Sequence, residues 1–417
     1  MKPRLLSLLA ATVILVGCSN QEALETSTPM PETQKVSNIR SYDEALEIAR
    51  KSISFVDGSS MTRASSPRKI SVNDTKVCLA DTRTRTSSCA DDTLMYVFNF
   101  EDNQGFAIVS ANRNTEALIA VTEQGFYDPE VESDNAGFNY FMERAKDYVA
   151  QSAGRGGFIP IPETKDSVVY SNTTVGPYLT VNWGQTHPEG EYCSNGMSGY
   201  ANTAIAQIMS YYESPLTISL TYPNADISVQ YLNWTQMKSH QTGHGLSACP
   251  NQGIHRSIGR LLRQLGALTN SSYNTTYTQT YNSNIPSAVS SIGYQSCSWT
   301  GYNYDTGVNH LNSGHLLLLN GQSGSTSHHW VFDGYITTIQ TTYHFEKSAV
   351  NPNEWILVDV TSVVYSRLCH YNWGWYGDCN GYFLSGVFNT RSAELYENQY
   401  NTVSYNFGSV VMLPVYP

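Results

Sequence analysis

Two segments in the C-terminal half of the chain combine residue types that can transfer a proton during covalent catalysis. In SHHWVFDGY, His328 and His329 lead into a strand pattern, and in HYNWGWYG, Asn372 is followed by Trp373. In cysteine peptidases a histidine takes the proton of the nucleophile, and an amide side chain orients the imidazole. The two segments together predict such a pair, whereas either histidine alone is more typical of an ordinary core or surface residue.

The same region does not predict a metal site. His328, His329, Cys369 and His370 are metal-ligand residue types, but adjacent residues cannot easily turn both side chains toward one ion. The eight cysteines include no CxxC pair, which disfavours a zinc ribbon or a thioredoxin-type site. We therefore expect neither a metal nor a cofactor.

The elements that must position these residues predict an α+β fold with an antiparallel sheet. Helical apolar spacing comes first and strand patterns follow, which disfavours a doubly wound α/β fold. The predicted helices cover 200–212 and 252–268, and the predicted strands cover 315–320, 329–335, 354–360 and 381–388.

A smaller α+β domain is predicted at residues 39–150. Ser41 and Glu44 match a capping box ahead of a helical pattern. The β-rich runs 94–100 and 105–111 are separated by four polar residues, which indicates a hairpin. No concentration of catalytic residue types occurs in this domain.

Two stretches are predicted to lack regular structure. Residues 56–75 are rich in Ser and Arg and are typical of a loop. Residues 151–174 contain several Gly and Pro residues, which favours a protease-sensitive linker. The second domain is therefore predicted to cover 175–417.

The N-terminus resembles a bacterial lipoprotein signal. A charged start precedes the apolar run 5–16, which is too short for a permanent membrane span and ends just before Cys18. Residues 1–17 would be the signal peptide, Cys18 the lipidated residue, and 18–38 a polar tether. An ordinary cleaved signal with a chance cysteine is the alternative. We expect a protein of the bacterial cell envelope, held by lipid at the outer membrane or cell surface, with release as an open alternative.

Composition excludes one class of partner and leaves the disulfides undecided. The net charge is −11, and no cluster of Lys or Arg occurs, so nucleic acid is not expected as a partner. Cys78 with Cys89, and Cys369 with Cys379, are close enough in sequence to close hairpins. Spacing alone cannot establish either pair.

Four segments, in order, resemble motifs of the streptopain-like cysteine peptidases. They are VGPYLTVNWGQ (175–185), GYANTAIAQIM (199–209), HHWVFDGY (328–335) and HYNWGWYG (370–377). The stretch YVFNFEDNQGFAIVSANRNTEALIAVTEQG (96–125) resembles the pro-domain of that family, which is also found alone as a protease inhibitor. The resemblance implies a papain-like two-lobed peptidase domain behind an α+β pro-domain. It also implies contact between these domains and a polypeptide substrate or ligand in the cleft.

The resemblance assigns roles to five positions. His328 falls on the general base, Asn372 on the residue that orients it, and Trp373 on the aromatic residue that shields the pair. Gln185 is, on weaker grounds, the candidate side chain for the oxyanion hole. Tyr200 falls on the nucleophilic cysteine.

The departures from the family pattern concentrate at the predicted site. Tyr200 replaces cysteine, Ala201–Asn202 replaces Val-Ala, and Ser327–His329 replaces Gly-His-Ala. A thiol with a pKa of about 8.5 is readily activated at a helix N-terminus, whereas a phenol starts near 10 and carries a ring into the cleft. Cys193 or Ser198 could in principle serve instead, but each is the weaker alternative.

These observations favour an exported lipoprotein with zymogen-like organisation that is a catalytically inactive pseudopeptidase. Family membership alone would instead suggest an active secreted cysteine endopeptidase, so the enzyme assignment stays open. A surface binding protein is a third hypothesis, supported only by the 29 tyrosines.

Overall fold

A computed structural model describes residues 39–59, 68–79, 93–131, 133–151, 165–240, 252–295, 297–323, 326–347, 355–387 and 410–417. The helices in these ranges are α1 (Tyr42–Ser59), α2 (Ala136–Gln151), α3 (Tyr200–Tyr212), α4 (Trp234–Lys238), α5 (Gln252–Leu268), α6 (Ile285–Ser291) and α7 (Tyr304–Asn312). The predicted signal peptide, Cys18 and the tether lie outside the described residues.

The strands of the N-terminal region are β1 (Ile70–Leu79), β2 (Thr93–Phe100), β3 (Phe106–Ser110), β4 (Leu118–Thr122) and β5 (Lys165–Val175). Four short strands follow: β6 (Thr217–Ser219), β7 (Val229–Tyr231), β8 (Ser272–Tyr273) and β9 (Thr278–Gln279). The remaining strands are β10 (Thr300–Gly301), β11 (Leu316–Ser323), β12 (Thr326–Lys347), β13 (Trp355–Asn372), β14 (Gly381–Leu384) and β15 (Val410–Val415). The predicted α+β class with an antiparallel sheet is confirmed.

One antiparallel sheet of eleven strands runs through both domains. Its order is β1-β2-β3-β4-β14-β13-β12-β11-β15-β10, with β5 added beside β12. The junction between the domains is the pair β4–β14, in which Gly381 lies opposite Thr122. A Cβ on Gly381 would stand 2.4 Å from the carbonyl oxygen of Val121, so glycine permits this close approach. The sequence did not predict that the domains share a sheet.

The centre of the sheet is buried on both faces. Alternate residues of β11 enter two different apolar clusters, with Leu317 and Leu319 in one and Leu316 and Leu318 in the other. The first cluster includes residues of α1 and α2, and the second includes residues of α3 and α5. Because successive side chains of a strand point to opposite faces, a strand covered on both sides reads as a continuous apolar run.

Two of the predicted irregular stretches contain strands. Residues 70–79, partly inside the predicted loop 56–75, form β1 against β2. Residues 165–175, at the end of the predicted linker, form β5, which pairs with β12 from Tyr335 to Phe345. Pairing with another strand overrides local composition in both cases. The predictions of irregular structure at 70–75 and at 165–174 were therefore wrong. Residues 152–164 of the linker lie outside the described residues.

The described cysteines are free thiols. They are Cys78, Cys193, Cys297, Cys369 and Cys379. The suggested pair Cys369–Cys379 is therefore not formed, and the pair Cys78–Cys89 includes a residue outside the described ranges. Among the helices that the structure describes, none combines the length and the apolar character that a bilayer span requires.

Candidate active site

Tyr200 is the first residue of the buried helix α3. Residues 201–210 are all buried, so the helix is enclosed around its whole circumference, as expected of a central helix. Gly199 precedes it with φ of +88°, a conformation that favours glycine. A Cβ at Gly199 would also stand 2.9 Å from a methyl carbon of Thr278. The turn thus places Tyr200 at the helix N-terminus, where the motif predicts the nucleophile.

The Tyr200 side chain lies against the predicted base. Its ring centroid is 3.9 Å from that of His328 and 6.0 Å from that of Trp375. The hydroxyl group hydrogen-bonds the Gln185 side chain. Burial raises the pKa of Tyr200, and the Gln185 contact only partly offsets this rise. The phenol is therefore neutral at physiological pH.

His328 is fully enclosed and uncharged. Its Nε2 lies 3.1 Å from the carbonyl oxygen of Trp373 and, as a donor, fixes the tautomer. Its Nδ1 is buried without a hydrogen-bond partner among the described residues. Burial lowers the pKa of His328 to about 3. An imidazole held in this state is a poor proton acceptor for any group in the cleft.

Asn372 does not orient His328 in this structure. Its Nδ2 donates to the carbonyl oxygen of Val181 at 3.1 Å, and its Oδ1 accepts from the amide of Gly374 at 3.0 Å. The side chain therefore stabilises the turn after β13. Asn372 lies opposite Val331, three residues along β12 from His328, and the predicted hydrogen bond is not formed.

Trp373 lies beside His328, as the prediction requires. The ring centroids of the two residues are 6.2 Å apart, and the indole Nε1 donates to the carbonyl oxygen of Cys379 at 2.9 Å. Trp330 packs on Trp373 with centroids 5.2 Å apart. These contacts fix the indole and enclose one side of the imidazole.

The other side of His328 is covered by helix α2 of the N-terminal domain. A Cβ on Gly137 would stand 2.4 Å from Cδ2 of His328 and 2.6 Å from Cε3 of Trp373. The backbone of α2 therefore touches the imidazole directly, and Tyr140 one turn later contacts Trp330. The sequence analysis missed this contact, and the single glycine in the helix was the only available signal.

Gly137→Ala is expected to lower the free energy of unfolding by up to about 2 kcal/mol net, because an added methyl group overpacks a closed contact at a cost of about 1–3 kcal/mol. This cost exceeds the gain of up to about 1 kcal/mol in helix propensity. Urea unfolding of the two proteins measures the difference. Gly301→Ala is the matched control, since no atom lies within 4 Å of its added Cβ. A stabilised Gly137→Ala protein would contradict the contact.

The alternative nucleophiles are poorly placed. Burial raises the pKa of Cys193 to about 11, which opposes thiolate formation. The hydroxyl of Ser198 lies 3.2 Å from the carbonyl oxygen of Gln185 and 3.0 Å from Oγ1 of Thr203. Among the described residues neither group hydrogen-bonds His328, so the geometry gives neither a base.

His329 points to the opposite face of the sheet. Its Nε2 lies 2.7 Å from Oδ1 of Asn282, whose Nδ2 donates to Asn320 at 2.9 Å. Burial lowers the pKa of His329 to about 3. Within the described ranges, no group of three or more His, Cys, Asp or Glu side chains is placed to hold a metal ion.

Stability is expected to fall between pH 6.5 and pH 5 because of His328 and His329. Both have an ordinary pKa of 6.5 and a folded pKa of about 3, so the unfolded chain binds more protons in this range. Each histidine contributes up to about 1.4 kcal/mol per pH unit. Urea unfolding at several pH values measures the slope, and His329→Gln should roughly halve it. A flat profile over this range would contradict the buried neutral state.

Comparison with known proteins agrees with the motifs. Residues 178–383 match the model of the peptidase C10 family, and residues 33–149 match that of the Spi protease inhibitor. The chain belongs to the peptidase C10 family. Its N-terminal domain is a Spi-inhibitor-like pro-domain, so the streptopain-like resemblance is confirmed.

One solved structure shows the same fold, and a second is more distantly similar. A fragment of prointerpain A from Prevotella intermedia is 20% identical, with 81% of this chain and 98% of that chain covered and a TM-score of 0.50. Active interpain A cysteine protease from the same organism is 19% identical, with 58% and 94% covered and a TM-score of 0.37. No curated protein matches the chain significantly. The arrangement of a pro-domain ahead of a peptidase domain is thus that of prointerpain A.

Proposed function

We propose that this member of the peptidase C10 family is a catalytically inactive pseudopeptidase. The observation that carries the proposal is the position of Tyr200, whose ring packs 3.9 Å from that of His328 at the N-terminus of α3. A phenol ring thereby fills the space between the nucleophile position and the base. Covalent catalysis would require a small nucleophile with its proton directed at the imidazole.

The chemistry of tyrosine supports the proposal independently of the geometry. About a thousandth of a free phenol is ionised at pH 7, and burial raises the pKa of Tyr200 further. Expulsion of an amine also needs a proton from the imidazole, and burial, which lowers the pKa of His328 to about 3, leaves that imidazole without one. The helix dipole that activates a thiol at this position cannot offset these differences.

The runner-up is an active cysteine endopeptidase that uses another thiol. Burial raises the pKa of Cys193 to about 11 and that of Cys369 to about 12, and it also raises that of Cys379. A reactive cysteine needs the opposite shift. The described buried thiols therefore do not favour this alternative.

The expected role is the binding of a polypeptide rather than its hydrolysis. Two ligands are consistent with the family: a peptide in the inherited cleft, or another protease bound through the pro-domain. Because β4 of the pro-domain already pairs with β14, its edge is engaged by its own peptidase domain. The cleft is the better candidate once the pro-domain has separated, since α2 covers His328 while the domains are joined, and binding to other surfaces has no specific support.

We also propose that Cys18 carries lipid and holds the protein in the bacterial cell envelope. The support is the sequence of residues 1–18. Expression in a bacterial host with an alkyne-labelled fatty acid tests this directly: the native chain should become labelled, and Cys18→Ser should not. Equal labelling of the two proteins would contradict lipidation at Cys18.

A peptide probe that carries a thiol-directed electrophile tests the catalytic proposal. The purified exported chain is incubated with the probe, and adducts are mapped by mass spectrometry before and after unfolding. We expect that no cysteine reacts with the probe faster in the folded chain than in the unfolded chain. A cysteine labelled faster in the folded chain than in the unfolded chain would support the active alternative.

A further inference from the structure

A buried cation lies at the seam between the two domains. His370 on β13 is 3% exposed, and its Nδ1 lies 2.6 Å from Oδ1 of Asp333. Asp333 is fully buried, and its Oδ2 accepts from the amide of Leu179 at 2.8 Å. Burial opposes the charged imidazole, but the Asp333 carboxylate outweighs it and raises the pKa of His370 to about 10. Both ring nitrogens are therefore donors at neutral pH.

Glu123 of the pro-domain faces the second ring nitrogen of His370. Its Oε1 lies 3.5 Å from Nε2 of the imidazole, which is an ion-pair contact longer than a good hydrogen bond. The amide of Glu123 donates to the carbonyl oxygen of Asn380 at 2.9 Å, which continues the pairing of β4 with β14. Backbone pairing between the domains thus places the Glu123 carboxylate beside the His370 imidazolium.

The ion pair is asymmetric, and the asymmetry suggests its role. Asp333 belongs to the peptidase domain, whereas Glu123 reaches His370 only while the domains are joined. Nε2 of His370 is buried without a hydrogen-bond partner among the described residues, so the charge of Glu123 is what faces it. Removing one of two carboxylates from a buried imidazolium leaves the charge less well compensated, which is costly. We propose that Glu123 and His370 form an electrostatic latch between the pro-domain and the peptidase domain, with Asp333 as the positioning residue. The latch goes beyond the proposed inactivity, since it would operate whatever stands at position 200.

The charges around the latch fix the sign of its pH dependence. His370 is faced by Asp333 from β12, by the phenol of Tyr382 from β14 and by Glu123, while Arg68 lies near Glu123. Burial raises the pKa of Glu123, but the contact with His370 outweighs it and the pKa lies below its ordinary value. The latch should weaken below about pH 4.5, as Glu123 is protonated, and toward pH 10, as His370 loses its proton. Mild acid should therefore leave the ion pair of Glu123 and His370 intact.

Hydrogen exchange of the full exported chain tests the latch. Peptides covering 118–124 and 379–384 report opening of the β4–β14 pair, and a peptide from α5 reports the peptidase core. Glu123→Gln should speed exchange at the junction by about tenfold and leave α5 unchanged. Glu130→Gln, on an exposed pro-domain carboxylate, should change neither. After correction for intrinsic rates, the ratio of junction exchange in Glu123→Gln to that in the native chain should be the same at pH 5.5 and at pH 7.5, because His328 and His329 affect both proteins equally.

His370→Gln and the double variant Glu123→Gln/His370→Gln complete a double-mutant cycle. We expect the junction of the double variant to open no faster than that of the faster single variant. If His370→Gln does not fold, carbon-13 NMR of labelled histidines replaces it. The imidazole that titrates highest in the native chain should then titrate at least one pH unit lower in Glu123→Gln, and unchanged in Glu130→Gln. Native-like exchange and an unshifted titration in Glu123→Gln would overturn the latch. It would also be overturned if the two substitutions multiplied each other's effects on the junction exchange rate, since the residues would then act independently.

Discussion

Tyr200→Cys is expected to produce thiol-dependent hydrolysis of unfolded casein at least about a hundredfold above the rate of the native chain. The change removes the ring that packs on His328 and places a thiol at the N-terminus of α3, where the helix dipole lowers its pKa. The gain should fall well short of a fully efficient peptidase, because Asn372 is bonded to Val181 and Gly374. Loss of a complete catalytic set costs about a millionfold in kcat, so a partial recovery is measurable.

Two control variants make this result specific. Tyr200→Ser removes the same ring without adding a thiol and should stay inactive, and Tyr200→Cys with His328→Gln should lose the gain. If Tyr200→Cys folds, becomes alkylated and still cleaves nothing, a second defect lies at His328, whose other face is packed against Gly137. Equal activity of Tyr200→Cys and the native chain, both sensitive to alkylation, would contradict the assignment of Tyr200 to the nucleophile position.

Asp333→Asn is expected to lower the free energy of unfolding by about 3–5 kcal/mol, because it leaves a buried charge without its partner. The Asp333 carboxylate is fully buried and lies 2.6 Å from the imidazole of His370. The substitution keeps the size of the side chain, so packing should change little. Urea unfolding at pH 7 measures the loss, and the pKa of His370 should fall from about 10.

Asp226→Asn is the matched control for that change. Asp226 pairs with Arg260 at the surface, where its side chain is 48% exposed, and surface pairs contribute about 1 kcal/mol or less. The two substitutions alter the same chemical group in different surroundings. A loss at Asp333 no larger than the loss at Asp226 would contradict a buried ion pair.

The sequence predicted those parts of the site that depend on local pattern. The apolar spacing of 200–212 predicted α3, and Gly199 before it explains why Tyr200 starts the helix. The strand pattern at 329–335 predicted a strand directly after His328, whereas the register that sets Asn372 opposite Val331 is visible only in the fold. The spacing of apolar residues and the signals for helix ends depend only on neighbouring residues, so they can be recognised in the sequence without knowledge of the fold.

Contacts between distant segments could not be predicted in this way. Gly137 meets His328 across 191 positions of sequence, and Glu123 meets His370 across 247. Both contacts depend on the β4–β14 pairing, which no local pattern specifies. The hydrogen bonds of Asn372 were missed for a related reason, since its acceptor is the Val181 carbonyl oxygen on a distant loop. When several hydrogen-bond partners are within reach of a side chain, only the folded structure shows which of them it binds.

Casein hydrolysis by the native exported chain, with and without a thiol alkylator, tests the central claim most directly. The claim is that Tyr200 has replaced the nucleophile and that the described thiols do not substitute for it. We predict that the native chain releases peptides no faster than buffer alone does and that alkylation does not change this rate. Tyr200→Cys in the same assay shows that the substrate is suitable. Cleavage by the native chain that alkylation abolishes would contradict the claim.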